Sequence, residues 1–171
     1  MFSNHSIELY GDDLFNLNGV RNAGNTEERT YNCGGYALGT FSWYLPHSED
    51  VWGGGFAHWD MEKMERITEE CVTQMLVDFP DLRVISDLRE VKRSEYAVAF
   101  RVSADGDFHY ARHTRFHTWK HKRGAWWIDT MTRKEVLTTH WCDGRYNGPL
   151  VLFAKKRVDK TPFLWYNITK R

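Results

Sequence analysis

An α+β fold is predicted from three features of this 171-residue sequence. Helical periodicity is confined to the first half, strand-like segments fill the second, and Asp105-Gly106 and Arg123-Gly124 punctuate those strands as turns. The expected architecture is N-terminal helices packed on an antiparallel β-sheet, within one domain spanning 1–171. Residues 1–30 read as an arm, 31–154 as the core and 155–171 as a basic, aromatic tail.

The arm is polar and rich in Asn, Gly and Asp, with five acids against Arg21 and Arg29. From Cys33 to Leu45 the apolar residues Tyr36, Ala37, Phe41 and Tyr44 or Leu45 recur at helical spacing, and Pro46 is the expected stop. Gly53 to Gly55, flanked by Trp52, Phe56 and Trp59, predict a mobile loop. The clearest helix runs from Asp60 to Phe79. Met61, Met64, Ile67, Cys71, Val72, Met75, Leu76 and Phe79 are spaced by threes and fours, with Asp60 as N-cap and Pro80 beyond the end. Strands are expected at Tyr96–Val102, Phe108–Thr114, Phe116–Lys122, Ala125–Asp129 and Leu150–Ala154, the first two joined by the turn Ala104 to Asp107.

Composition excludes several classes. Lys plus Arg and Asp plus Glu both total 23, which argues against a uniformly basic nucleic-acid binder. No apolar run reaches the ~18 residues of a membrane span. Residues 1–30 lack a basic segment followed by an apolar one, so a cytoplasmic protein is expected. Three cysteines without CxxC spacing argue against a disulfide framework or a cysteine-rich zinc site.

Cys33 stands where the polar arm turns into a helix, with Thr30 or Asn32 as cap. A thiol at a helix start feels the positive end of the dipole, which predicts a lowered pKa and a nucleophilic thiolate; a small buried core residue is the competing reading. Cys71 falls on the apolar face of the long helix and is expected to be core. Cys142, in His140-Trp141-Cys142-Asp143-Gly144, sits near a turn beside a histidine; metal binding or reactivity competes there with an inert role, which is preferred.

A thiol nucleophile needs a base. His109, His113, His117 and His121 are spaced by four, which on a helix would form a zinc ladder. Phe, Tyr, Thr and Trp dominate the segment, so a hairpin turning at Thr114-Arg115-Phe116 is predicted instead. It sets His109 opposite His121 and His113 opposite His117, with facing Cβ atoms about 4.5–5.5 Å apart. His109 is then the candidate base, His121 its orienting partner, and no metal is expected. Asp129 is the alternative orienter.

These residues resemble the NlpC-type cell-wall peptidases, a compact branch of the papain-like cysteine peptidases. The resemblance rests on Asn32-Cys33-Gly34-Gly35, Asp107-Phe108-His109-Tyr110 and Trp119-Lys120-His121-Lys122, and covers 31–38 and 95–129. Asn32 and Gly34 depart from the family's acid and serine. The resemblance implies a papain-like core in which Cys33 attacks an amide, His109 is base and then acid, and His121 orients it, with no cofactor. It implies peptidoglycan stem peptides as substrate; an intracellular peptide, isopeptide or amide, or a phage enzyme released at lysis, stays open. The backbone N–H groups of Cys33 and Gly34 are expected to hold the oxyanion, supported by Asn32, Asp107 and Asp129, with His58 and Trp59 on a substrate loop.

Two other functions stay open, only the first of which uses the same site. Acyl transfer to an amine or alcohol proceeds through the same acyl-enzyme. Nucleic-acid binding would use the five basic residues between Asp107 and Gly124 and the tail with Phe163, Trp165 and Tyr166; no recognition motif supports it.

Overall fold

The structure, a computed structural model, describes residues 31–114, 118–124, 126–138 and 141–157. The predicted arm, His117 and the tail aromatics lie outside the described residues.

Helix α1 spans Cys33–Leu38, shorter than its apolar spacing predicts. Gly39 ends it by adopting a left-handed φ of 72°, which glycine tolerates without a Cβ penalty. The chain then doubles back, and the Thr40 and Phe41 N–H groups both donate to the Gly35 carbonyl. Asn32 fastens the return. Its Oδ1 accepts from the Gly35 N–H at 3.0 Å and the Tyr44 N–H at 3.1 Å, while its Nδ2 donates to the Tyr44 carbonyl at 2.7 Å. Tyr44 is therefore held beside the helix start instead of riding one turn further along a helix. Gly35 is required here, since a Cβ would lie 1.9 Å from the Ser42 carbonyl oxygen.

Helix α2, Met61–Asp78, matches its prediction. The Asp60 carboxylate accepts from the Lys63 N–H at 2.8 Å, and Phe79 caps the other end ahead of Pro80. Met64, Ile67, Thr68, Cys71 and Met75 form its buried face. Cys71 is fully buried, as expected of a core thiol.

The sheet has six antiparallel strands: β1 Leu82–Ile85, β2 Glu95–Val102, β3 Phe108–His113, β4 Trp119–Lys122, β5 Ile128–Met131 and β6 Val151–Lys156. Their order is β1-β6-β2-β3-β4-β5. The α+β class and the antiparallel sheet are thus as expected. Strand β1 and helix α3 (Arg133–Leu137) are additions. Strand β5 begins three residues later than predicted because Arg123–Trp126 closes a turn, with the Trp126 N–H on the Arg123 carbonyl and Gly124 at φ 55°. Strand β6 continues through Lys156, so the first residues assigned to the tail belong to the core.

Both faces of the sheet are covered, which explains why every residue of β2 is buried. Tyr96, Val98, Phe100 and Val102 pack with Phe108 and Tyr110 against α1 and α2. On the other face Ala97, Ala99, Ala111 and Ala154 are small, and their neighbours there are Trp119, Trp141 and Tyr146. Large rings pack over this alanine floor. The loop read as mobile is hydrogen-bonded to the β2–β3 turn: Gly53 N–H to Gly106 O at 2.9 Å, and Trp59 N–H to Ala104 O at 2.8 Å. Among the described residues, no helix is long and apolar enough to cross a membrane.

Candidate active site

The β3–β4 hairpin differs from its predicted register by two residues. Arg112 faces Lys120 and His113 faces Trp119, so the turn is centred one residue further along. A shift of two preserves which face each side chain occupies. His109 and His121 therefore stay on one face as diagonal neighbours and still meet: His109 Nε2 and His121 Nδ1 are 2.7 Å apart in a buried hydrogen bond. His113 instead packs on Trp119.

The histidine pair is held from several sides. The Tyr146 ring stacks on His109, with centroids 4.8 Å apart and planes 23° from parallel. The Tyr146 hydroxyl donates to Asp107 at 2.8 Å, and Arg145 pairs with the same carboxylate at 3.1 Å. Trp141 adds an edge-on contact to His109. Asp129 stands across from His121 in the β4–β5 register, but its carboxylate pairs with Arg123 at 3.2 Å. The partner bonded to His109 is thus His121, not Asp129.

Burial sets the protonation states. It drives His109 well below the usual histidine value, and the neighbouring His121, Arg123 and Arg145 act in the same direction. Burial also lowers His121 to about 4, against the opposing pull of Asp129. Both rings are neutral at neutral pH.

Cys33 is 4% exposed, at the first position of α1. The expectation of a lowered thiol pKa is not met. Burial pushes it up to about 12 and Asp107 adds to the rise; the backbone N–H groups of Tyr110 and Gly34 and the charge of Lys122 oppose it without prevailing. A six-residue helix offers little dipole against that desolvation. Among the hydrogen bonds formed by the described residues, none joins the Cys33 thiol to His109.

Both residues line a cleft of about 320 Å³, with Asn32, Cys33, Asp107 and His109 on its wall beside Trp52 and Tyr146. Cys33 belongs to the layer under α1, however, and His109 packs on Trp141 and Tyr146. Gly34 lies behind Cys33, close against Tyr110 and Tyr44. His58 is exposed and does not line this cleft; Trp59 reaches it only through Trp52, 6.1 Å away ring to ring.

Trp43, Glu49, Trp52 and Tyr146 are cleft residues that reading the sequence missed. The Trp52 indole N–H is buried without an acceptor among the described residues. Cys142 was also set aside, yet its sulfur and one ring nitrogen each of His109 and His121 lie within 4.8 Å of one another. The His140–Gly144 turn carried the only sequence signal for it.

Three residues of the basic segment have partners within the chain, although Arg123 stays exposed. Arg112 lies over the Tyr96 ring, Lys122 is fully buried with carbonyl partners at Gly124 and Trp126, and Arg123 pairs with Asp129.

Comparison with protein-family models, with curated proteins and with solved structures returned no match.

Proposed function

We propose that the chain is a thiol-dependent amide hydrolase with a papain-like, NlpC-type site, in which Cys33 is the nucleophile, His109 the base and His121 the positioning residue. The observation that carries this reading is the buried His109–His121 hydrogen bond at the wall of a cleft that the buried Cys33 also lines. With Nε2 of His109 engaged by His121, Nδ1 is the nitrogen left for the thiol. In this reading His109 Nε2 donates to His121 Nδ1, the tautomer that leaves His109 Nδ1 to accept a proton.

The raised thiol pKa and the lowered histidine pKa favour a neutral resting pair over a standing thiolate–imidazolium pair. The proton passes from Sγ to His109 Nδ1 as sulfur attacks the carbonyl carbon. The Cys33 N–H, which a helix start leaves without an intrahelical partner, donates to the developing oxyanion. His109 returns the proton to the leaving amine, the C–N bond breaks, and a thioester forms on Cys33. Water, deprotonated by His109, then releases the acid and restores the thiol. Asn32 and Asp107 support this geometry, the first by capping α1 and the second by anchoring Tyr146 over His109. The rings of Trp43 and Trp52 suit a peptide or related amide with an apolar portion, and peptidoglycan stem peptides are the first class to try.

Acid quenching during turnover of a peptide-ester panel, followed by intact-mass analysis, tests the reading. The expected result is a mass gain on Cys33 that is absent in Cys33→Ala. Adding an amine separates hydrolysis from acyl transfer: hydrolysis leaves the acid as main product, whereas transfer diverts it to the amide. An acyl group on another residue, or none with any ester, contradicts the assignment.

A further inference from the structure

We propose that His109, His121 and Cys142 form a binding site for a borderline-soft divalent cation, Zn²⁺ in the first instance, that switches the thiol site off. The donor set stands on the geometry alone; the switching role rests on the function proposed for Cys33 and His109.

Two imidazoles and a thiol are a donor set that zinc favours. Their donor atoms lie within 4.8 Å of one another, both histidines are buried and Cys142 is half-buried. The natural nitrogen donors are the two that already face each other, His109 Nε2 and His121 Nδ1, at 2.7 Å. On a tetrahedral zinc, with Zn–N near 2.0–2.1 Å, they would stand roughly 3.3 Å apart, so the pair has to open by a fraction of an ångström and the rings to turn until both lone pairs converge on the ion.

The fold presents Cys142 to this pair through a left-handed run, with φ of 48° at Cys142, 59° at Asp143 and 84° at Gly144. The run is tied at both ends. The Gly144 N–H donates to the Trp141 carbonyl at 3.1 Å, the Trp141 indole to the Val136 carbonyl at 2.9 Å, and the Tyr146 hydroxyl to Asp107. Charges of both signs surround the site. Asp129 and Glu135 face His121 and favour a cation, while Arg123 and Arg145 oppose it. Both arginines carry acidic partners, Arg123 on Asp129 and Arg145 on Asp105 and Asp107, which offsets their charge.

Binding exchanges one proton and no electrons. Cys142 releases its thiol proton to solvent and coordinates as thiolate. The proton on His109 Nε2 moves to Nδ1, so that Nε2 can coordinate. The nitrogen that should accept the Cys33 proton then carries a hydrogen of its own, and the base is lost.

Titration of the metal-free full chain with Co²⁺ tests the site without any substrate. The expected result is one equivalent bound, with a thiolate-to-cobalt charge-transfer band, visible bands of a four-coordinate ion whose fourth ligand is water, and one proton released. Outer-shell changes alone cost about 10–100-fold in metal affinity, so Cys142→Ser should lose the charge-transfer band and bind more than tenfold more weakly. Cys33→Ser should keep the band. No saturable band in wild type, or a band that survives Cys142→Ser, overturns the site. Alkylation of Cys33 reads the switch: Zn²⁺ should slow it in wild type, reversibly with chelator, and not in Cys142→Ser. A cobalt band with no effect of Zn²⁺ on Cys33 overturns the switching role and leaves the cation site standing.

Discussion

Cys33→Ala and His109→Ala are each expected to lower amide turnover by at least about 10³-fold, within the range general acid–base and nucleophilic groups supply. The two act as one unit, because the thiol with its raised pKa reacts only as His109 takes its proton. The double variant should therefore be no slower than Cys33→Ala alone, a non-additivity that two independent contributions would not give. His121→Ala should cost less, about 10²-fold, the scale of a misplaced but intact catalytic group. Steady-state rates on any substrate found by acyl-enzyme capture check all four. Cys33→Ala replaces the thiol by a hydrogen and leaves only a small gap, so its urea midpoint should stay close to wild type, separating lost chemistry from lost fold. Additive losses would mean that the thiol and imidazole do not cooperate.

Acid should destabilise the protein at an unusually high pH. A histidine whose folded pKa lies below its unfolded value binds fewer protons when folded, so stability is full above the unfolded pKa and falls as pH drops toward the folded one. For His121 that window runs from 6.5 down to about 4. The loss is about 2 kcal/mol between pH 7 and pH 5 and approaches about 3 kcal/mol near pH 4, from this residue alone. His109, shifted further in the same direction, adds to it. Glu95, held at about 2 by Arg83, loses its contribution only at more acidic pH, so it does not account for a slope near pH 6. Urea unfolding of chelator-treated protein at the two pH values measures the effect, and His121→Gln should reduce the slope. Equal stability at pH 7 and pH 5 would mean that the pair is not buried neutral in the folded state.

What was legible in the sequence follows from which forces are local. The periodicity of α2 and its Asp60 cap are local signals, and the helix begins and ends where they say. Aromatic and β-branched content together with turn dipeptides were enough to choose strands over a histidine ladder. Period two then protected the His109–His121 pairing even though the register was off by two residues. Helix α1 was over-extended because Tyr44 mimics a helical spacing, while a tertiary bond from Asn32 places it elsewhere. The short α3 carried a signal in Thr132 and Glu135, a capping pair, but five residues hold too little periodicity to stand out. The thiol pKa was misjudged because burial, a property of the whole fold, outweighs the helix-start effect visible in sequence. Cys142 and Tyr146 reach His109 from a loop more than thirty residues away, a contact that no local pattern encodes.

The most direct test of the Cys33–His109 pair is the alkylation rate of each cysteine, resolved by mass spectrometry, across pH in wild type and His109→Ala. With His109 neutral to well below its ordinary value, Cys33 should react with a small electrophile at neutral pH and hold that rate below pH 6, while Cys71 stays silent in the core. His109→Ala should reduce Cys33 to the reactivity of a buried thiol with a pKa of about 12, effectively none at pH 7. An inert Cys33 in wild type, or an unchanged rate in His109→Ala, would contradict the account.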